Sequence, residues 1–497
     1  MQRNIKTMLA LSPQLFNISW KGNPRNTNEL GQNSHPRSNH YYNISETEFI
    51  QKESELLAKL NSNRNGEKLP NISQRTLRRM IAMLNQGPIS KYSRKTDYYS
   101  QMGKNVQLVQ IRKYLLENAP SKNSFVLSAY ESGLRSNFSN HMMKSMDFYN
   151  LIEETPQNGG ERRECANRYF AFLSWLNREV YSKGMEKFFK PYLDTAVKTE
   201  TKELFVNVIR AIFKGHRQGE KTFTYKTEQI SENEFRCTGY ADDEKISDAT
   251  AKTEDEAEMY LFKRIMSDYC VYPLNRDNKE LRKNVFNVEN IKDAVHKMLV
   301  NVGFILFESA LTKNCDKQAP DYILRALSPT LKINDGLNFQ KFEYYGDAVC
   351  NMETELFLLE KKLPIDIKEK FYSIMKSNAT FEEYFDKIKL EKYLLNPDKS
   401  TPKYKADAFE ALIGALHYSY DERLVYAFLQ PLFEAKYQEL MNTLQPRIKN
   451  NNSSNNFEQM HKLLQAYFII NINWHVNLAV TSNWFNRCSN SSFYGCY

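Results

Sequence analysis

Gln340-Lys341-Phe342-Glu343-Tyr344-Tyr345-Gly346-Asp347-Ala348-Val349 reads as one stretch of helix, and the fold turns on it. Glu343 and Asp347 are spaced i,i+4 and so share a helix face. Phe342, Tyr345, Val349, Met352 and Leu356 recur at helical spacing beside them and predict a buried side. Gly346 weakens a helix, so close approach of a second helix is its expected reason. About sixty residues on comes Pro402-Lys403-Tyr404-Lys405-Ala406-Asp407-Ala408-Phe409-Glu410-Ala411-Leu412-Ile413-Gly414-Ala415. Asp407 and Glu410, at i,i+3, again share a face, flanked by Phe409, Leu412, Ile413 and Leu416, and Gly414-Ala415 again permits tight packing. A single acidic pair would read as a solvated face. Two pairs, each beside an apolar stripe, predict four carboxylates gathered between packed helices. Such a cluster cannot stay ionised without a cation, and hard divalent ions such as Mg²⁺ prefer oxygen ligands.

The two segments resemble the signature of ribonuclease III, roughly E-R-L-E-F-L-G-D-A-V followed by D-x-x-E-A-x-x-G-A. Gln340 at the first Glu position and Pro402-Lys403 ahead of Asp407 are similar to the Dicer type. Leu324-Arg325-Ala326-Leu327-Ser328-Pro329-Thr330 resembles the family's A-L-T-H-P-S-Y helix end, and Ser377-Asn378 its V-N-N segment. The resemblance covers roughly residues 290–440 and implies an all-helical nuclease domain over 286–440. By the same resemblance the activity is a Mg²⁺-dependent cut in double-stranded RNA, with Mn²⁺ able to substitute, leaving 5′-phosphate and 3′-hydroxyl ends. Glu343, Asp347, Asp407 and Glu410 would ligate one or two ions, Lys403 would neutralise the scissile phosphate, and Asn378 would orient water or hold Asp407. Tyr372 stands where many members have Arg, which removes one expected RNA contact. Each such domain cuts one strand, so a chain with one visible domain is expected to form a homodimer. The rival reading is a non-catalytic RNA-binding or ribosome-associated protein on the same fold, which predicts eroded carboxylates. RNA processing, including small-RNA production, is the expected setting.

At 497 residues the chain has room for two to four domains, and 41% apolar and 13% aromatic content can supply real cores. A formal charge of +9 suits a nucleic-acid partner without demanding one. The seven cysteines are scattered and form no C-x-x-C pair, so neither a zinc site nor a disulfide framework is indicated, and an intracellular compartment, nucleus or cytoplasm, is expected. No run reaches membrane-spanning length: Phe468–Val480 is short and broken by Asn471, Asn473 and His475. Residues 1–28 contain Arg3, Lys6, Lys21 and Arg25 and no acid; a disordered basic arm over 1–45 fits better than a mitochondrial transit peptide.

The expected architecture is mainly α. Residues 46–200 form an N-terminal helical region, clearest over 161–190, where Tyr169, Phe172, Leu173, Leu176 and Val180 make one stripe that Pro191 ends. A degenerate first nuclease domain is conceivable there, but no second G-D-A or D-x-x-E-A segment exists. Residues 201–270 read as α-β-β-β-α and resemble a double-stranded RNA-binding domain (dsRBD). Its G-x-G-x-S-K-K-x-A-E turn stands here as Ala249-Thr250-Ala251-Lys252-Thr253-Glu254-Asp255-Glu256-Ala257-Glu258. Glu254 and Asp255 replace the phosphate-gripping lysines, so a protein-partner role is favoured over RNA binding. Residues 441–497 read as an Asn-rich linker, Asn450–Asn456, followed by Met460–Tyr467, which resembles the opening helix of a second, truncated RNA-binding domain; an apolar docking tail is the alternative.

Overall fold

Two pairs of long helices, each pair crossing at a glycine, carry the centre of the molecule. The computed structural model describes most of residues 46–450; residues 1–45 and 451–497 lie outside the described residues, as do 63–71, 85–93, 119–123, 153–154, 199–200, 215–220, 269–285, 287, 305–316, 331–336, 396, 398 and 421. The expected basic arm, the Asn-rich linker and the second RNA-binding helix therefore fall outside the described part. The chain is mainly helical with one small antiparallel sheet, as the sequence predicts.

The N-terminal region comprises α1 (Glu46–Ser62), α2 (Gln74–Leu84), α3 (Arg94–Asn118), α4 (Ser124–Ser145), α5 (Phe148–Ile152) and α6 (Gly159–Lys198). α3 packs along α6, and α2 packs on α6 from another side. Tyr169, Phe172, Leu173, Leu176 and Val180 are buried, as their spacing predicts. Pro191 does not end the helix. The chain breaks instead at Tyr181, whose φ of 53° is left-handed, and a second helical segment carries Pro191 inside it. The lost N–H is tolerated there, and Thr195 Oγ1 donates to the Pro191 carbonyl at 2.8 Å.

α7 (Lys202–Lys214), β1 (Phe223–Ser231), β2 (Glu234–Ala241), β3 (Glu244–Ala251) and α8 (Glu254–Asp268) form the mixed module. The sheet is an antiparallel meander in the order β1-β2-β3, with α8 packed on all three strands. Asp242 and Asp243, both at positive φ, make the two-residue β2–β3 turn, which matches the twist of paired strands. α7 packs on α4, and a methyl group on Gly133 of α4 would lie 2.7 Å from Val208. One face of the module is thus already occupied by its own chain.

α9 (Val288–Val302), α10 (Ala319–Ala326), α11 (Phe339–Glu360), α12 (Ile365–Met375), α13 (Asn378–Lys387), α14 (Tyr404–Ser419) and α15 (Glu422–Asn450) complete the chain. α15 runs to Asn450, so residues 441–450 belong to it and not to a linker. α14 is buried nearly all round by α10, α11, α13 and α15, as expected of a central helix apolar on every side. α11 is sandwiched between α14 and α3. It meets α3 antiparallel. Lys341 Nζ reaches the Leu116 carbonyl at 3.5 Å, Arg112 donates to the Tyr344 carbonyl at 2.5 Å, and Asn105 donates to the Asn351 carbonyl at 3.2 Å.

Candidate active site

Asn338 starts α11: its side-chain oxygen accepts from the Lys341 N–H at 2.9 Å, satisfying one of the unpaired donors of the first turn. Behind it, the fully buried Arg325 donates to Asp321 at 2.6 Å and to the Leu337 carbonyl at 3.1 Å, fixing the approach to α11 from α10. Glycine then allows α11 and α14 to touch backbone to backbone. A methyl group on Gly346 would fall 1.8 Å from the Glu410 carbonyl oxygen, and one on Gly414 would fall 2.2 Å from that of Phe342. The predicted reason for both glycines is thus the packing itself.

This crossing brings Glu343, Asp407 and Glu410 together, each offering one oxygen within 4.8 Å of the others. Glu410 and Asp407 are buried and Glu343 is half-buried. Burial, then Asp407, pushes the Glu343 carboxyl up to about 7. Burial also raises Glu410 well above the usual carboxylate range, reinforced by Asp347, Glu343 and Asp407. Asp407 is raised by burial against the pull of Lys403. Lys403 Nζ stands 2.9 Å from Asp407 and 3.5 Å from Glu343, and its own side chain is half exposed at 51%. Burial works against its charge, but Asp407 and Glu343 outweigh that and raise its pKa.

Asp347 is held differently. Its Oδ2 pairs with Arg112 Nη1 at 2.6 Å and its Oδ1 accepts from Asn351 at 3.0 Å. Arg112 also pairs with Glu131 at 2.8 Å and lies 4.3 Å from the Tyr344 ring centroid, while Tyr344 donates to Glu131 at 2.7 Å. Glu131 and Asp347 outweigh burial and raise the Arg112 pKa further, so the guanidinium stays charged. Of the four predicted carboxylates, three converge and Asp347 sits beside them in a separate ion pair. Asn378 is exposed at the first turn of α13, while the preceding Ser377 caps it by accepting from Thr380 N at 3.3 Å. Tyr372 is buried and accepts from Asn105 at 3.0 Å, so it faces α3.

Sequence reading missed Arg112, Glu131 and Asn351. Asn351 was findable, one helical turn beyond Asp347. Arg112 and Glu131 come from more than two hundred residues upstream, with no local pattern to mark them.

The donor set fits a hard divalent cation: three carboxylate oxygens, desolvated and mutually repelling, with one lysine to balance them. Glu343, Asp407 and Glu410 are the residues that could hold it.

Residues 340–421 match the family model described as the ribonuclease III domain. No curated protein matches the chain. The matched span begins at Gln340 and takes in Gly346, Gly414 and all four carboxylates, so residues 340–421 of this chain are a ribonuclease III domain.

Proposed function

We propose that this protein is a Mg²⁺-dependent endoribonuclease that cuts double-stranded RNA. The observation that carries the reading is the convergence of Glu343, Asp407 and Glu410 within 4.8 Å beside an exposed ammonium. Bound by these three, the cation would supply Lewis-acid polarisation of a phosphoryl oxygen and the charge the carboxylates need. Lys403, with a partly exposed head group, approaches a phosphate from the solvent side and offsets its charge. Asp347, oriented by Arg112 and Asn351, stands next to the cluster. Asn378 borders the same helix pair through the packing of α13 on α14, and its exposed amide is free to orient a water. The products are 5′-phosphate and 3′-hydroxyl ends.

Gln340 and Pro402-Lys403 support a Dicer-like member, acting in RNA processing that includes small-RNA production, and reduced, buried Cys165, Cys237 and Cys350 support an intracellular site of action. The order α7-β1-β2-β3-α8 supports a dsRBD-like module over 201–270. Glu254 and Asp255, both exposed, weaken its grip on phosphate. The packing of α7 on α4 supports a scaffold role for it.

The test is cleavage of long duplex RNA by the purified chain. Mg²⁺ or Mn²⁺ should support cutting and EDTA should stop it. Glu410→Gln should reduce cutting by at least about 10²-fold with the fold intact by circular dichroism. Undiminished cutting in that variant would refute the assignment, and a chain that binds duplex RNA but never cuts it would favour the non-catalytic alternative.

A further inference from the structure

The crossing of α3 and α6 repeats that of α11 and α14. A methyl group on Gly103 would lie 1.8 Å from the Phe170 carbonyl oxygen, the same distance that separates a methyl group on Gly346 from the Glu410 carbonyl. These contacts set one register on the other. Ser100 precedes Gly103 by three residues, as Glu343 precedes Gly346, and Lys104 follows Gly103 directly, as Asp347 follows Gly346. Asn167 precedes Phe170 by three, as Asp407 precedes Glu410, and Ser174 takes the place of Gly414. The surrounding helices repeat too: α2 packs on α6 as α10 packs on α14, and α4 follows α3 as α12 follows α11.

The two halves also exchange contacts in a two-fold manner across the antiparallel α3–α11 pair. Arg112 of α3 pairs with Glu131 of α4 and reaches over to Tyr344 and Asp347 of α11. From the other side, Glu355 of α11 pairs with Lys368 of α12 at 2.5 Å, and Lys368 reaches over to the Tyr98 carbonyl of α3 at 3.0 Å. In each half an ion pair between the long helix and the helix after it also reaches the long helix of the other half, with the signs reversed.

We infer that residues 74–198 are a second copy of the nuclease fold, emptied of its four carboxylates, and that the chain, paired with itself, cuts only one strand of an RNA duplex in each encounter. Where one half holds Glu343, Asp347, Asp407 and Glu410, the other holds Ser100, Lys104, Asn167 and Phe170, with Lys104 Nζ 5.7 Å from the Phe170 ring centroid. A cation beside an aromatic face repels a metal ion and gives it no oxygen ligand. One carboxylate cluster can act on one phosphodiester at a time. Water adds across that single P–O bond, leaving a 5′-phosphate and a 3′-hydroxyl in the cut strand and the opposite strand whole. α11 is already covered by α3 of its own chain, so an internal pair takes the place of the homodimer expected from one visible domain.

This inference rests on the nuclease reading above, and two measurements separate the two. The first is sedimentation of the full chain at micromolar concentration, which should give the mass of one chain. A dimer whose dilution abolishes cutting would overturn the internal pair. The second uses a duplex with a different label on each strand, under single-turnover conditions. Denaturing gels should show shortened strands while native gels show full-length duplex, with breaks in the two strands uncorrelated. Coupled breaks in both strands by a single chain would overturn the empty second half. Lys104→Ala should leave the rate within about twofold of the parent, and a tenfold loss in a folded variant would place working chemistry in residues 74–198. RNA left intact with every divalent cation would sink the nuclease reading alone, and the sedimentation result would still decide the pairing.

Discussion

Gly346 has no room for a methyl group, because a Cβ there would sit 1.8 Å from the Glu410 backbone oxygen, and backbone cannot rotate out of the way. Gly346→Ala should therefore push α11 from α14, cost about 3 kcal/mol by overpacking, and spread the three carboxylates. Denaturant midpoints and duplex-RNA cleavage should fall together, and a variant of parental stability would contradict the crossing. Glu343 gives a second expectation at this scale. Its carboxyl is raised to about 7 by burial and then by Asp407, so the native state holds this proton more tightly than the unfolded chain. The resulting stability is fully present below the unfolded carboxylate range, near ~4.3, and is lost as pH rises through about 7. In chelator the melting temperature should thus fall, relative to Glu343→Gln, between pH 5 and 8. Mn²⁺ binds the deprotonated form, so it should raise the parental melting temperature more at pH 8 than at pH 5. A difference between parent and variant that does not change with pH would count against a desolvated Glu343.

Among elements, α12 is fastened to α11 by a buried ion pair, Lys368 with Glu355, exposed by only 3% and 0%. Removing one partner leaves the other desolvated and alone. Lys368→Met should cost about 3–5 kcal/mol, and combining it with Glu355→Leu should recover most of that loss. Equal instability of single and double variants in urea melts would mean that the pair is not the source. α8 offers a test of a different kind. Glu254 and Asp255 lie exposed in its first turn, where they suit the helix dipole and repel a phosphate backbone. Changing both to Lys should strengthen RNA binding and steepen its log–log salt dependence by about one unit per residue. An unchanged slope would remove this helix end from any RNA path. These elements also show what was legible in the chain. The pairs Glu343/Asp347 and Asp407/Glu410 were readable because their spacing, apolar frames and glycines are all local. The strands of the mixed module were readable from alternation. The break at Tyr181 was not, because nothing local distinguishes it from helix, whereas Pro191 gave a signal that the surrounding packing overrode. Arg112 was invisible for want of any local mark, and the degenerate first domain conceivable over residues 46–200 had no second G-D-A or D-x-x-E-A segment to fix its register. Only Gly103, a lone glycine in a helical stretch, remained.

For the whole molecule, the excess of +9 and the mixed helix-and-sheet order were compatible with an RNA partner but said nothing about how the halves meet. The meeting is what completes the candidate site: α3 covers α11 and delivers Arg112 to Asp347. Residues 286–450 expressed alone should then expose the α11 face that Asn105, Arg112 and Leu116 cover. Gel filtration should show self-association of that fragment, and a monodisperse monomer would mean the cover is dispensable.

The contact between Arg112 and Tyr344 has a cost in time as well, since its partners are separated by 232 residues. At a ribosome speed of about 5–20 residues per second, α3 waits roughly 10–50 s for α11 to be made. Throughout that interval Arg112 and Glu131 have no acceptor or donor from the later half, and the flank of α3 stands open to solvent. Synthesis, more than the finished fold, is thus where this chain is most exposed to misassembly. Slowing translation between codons 200 and 340 should lower the yield of soluble protein more than slowing it after codon 360.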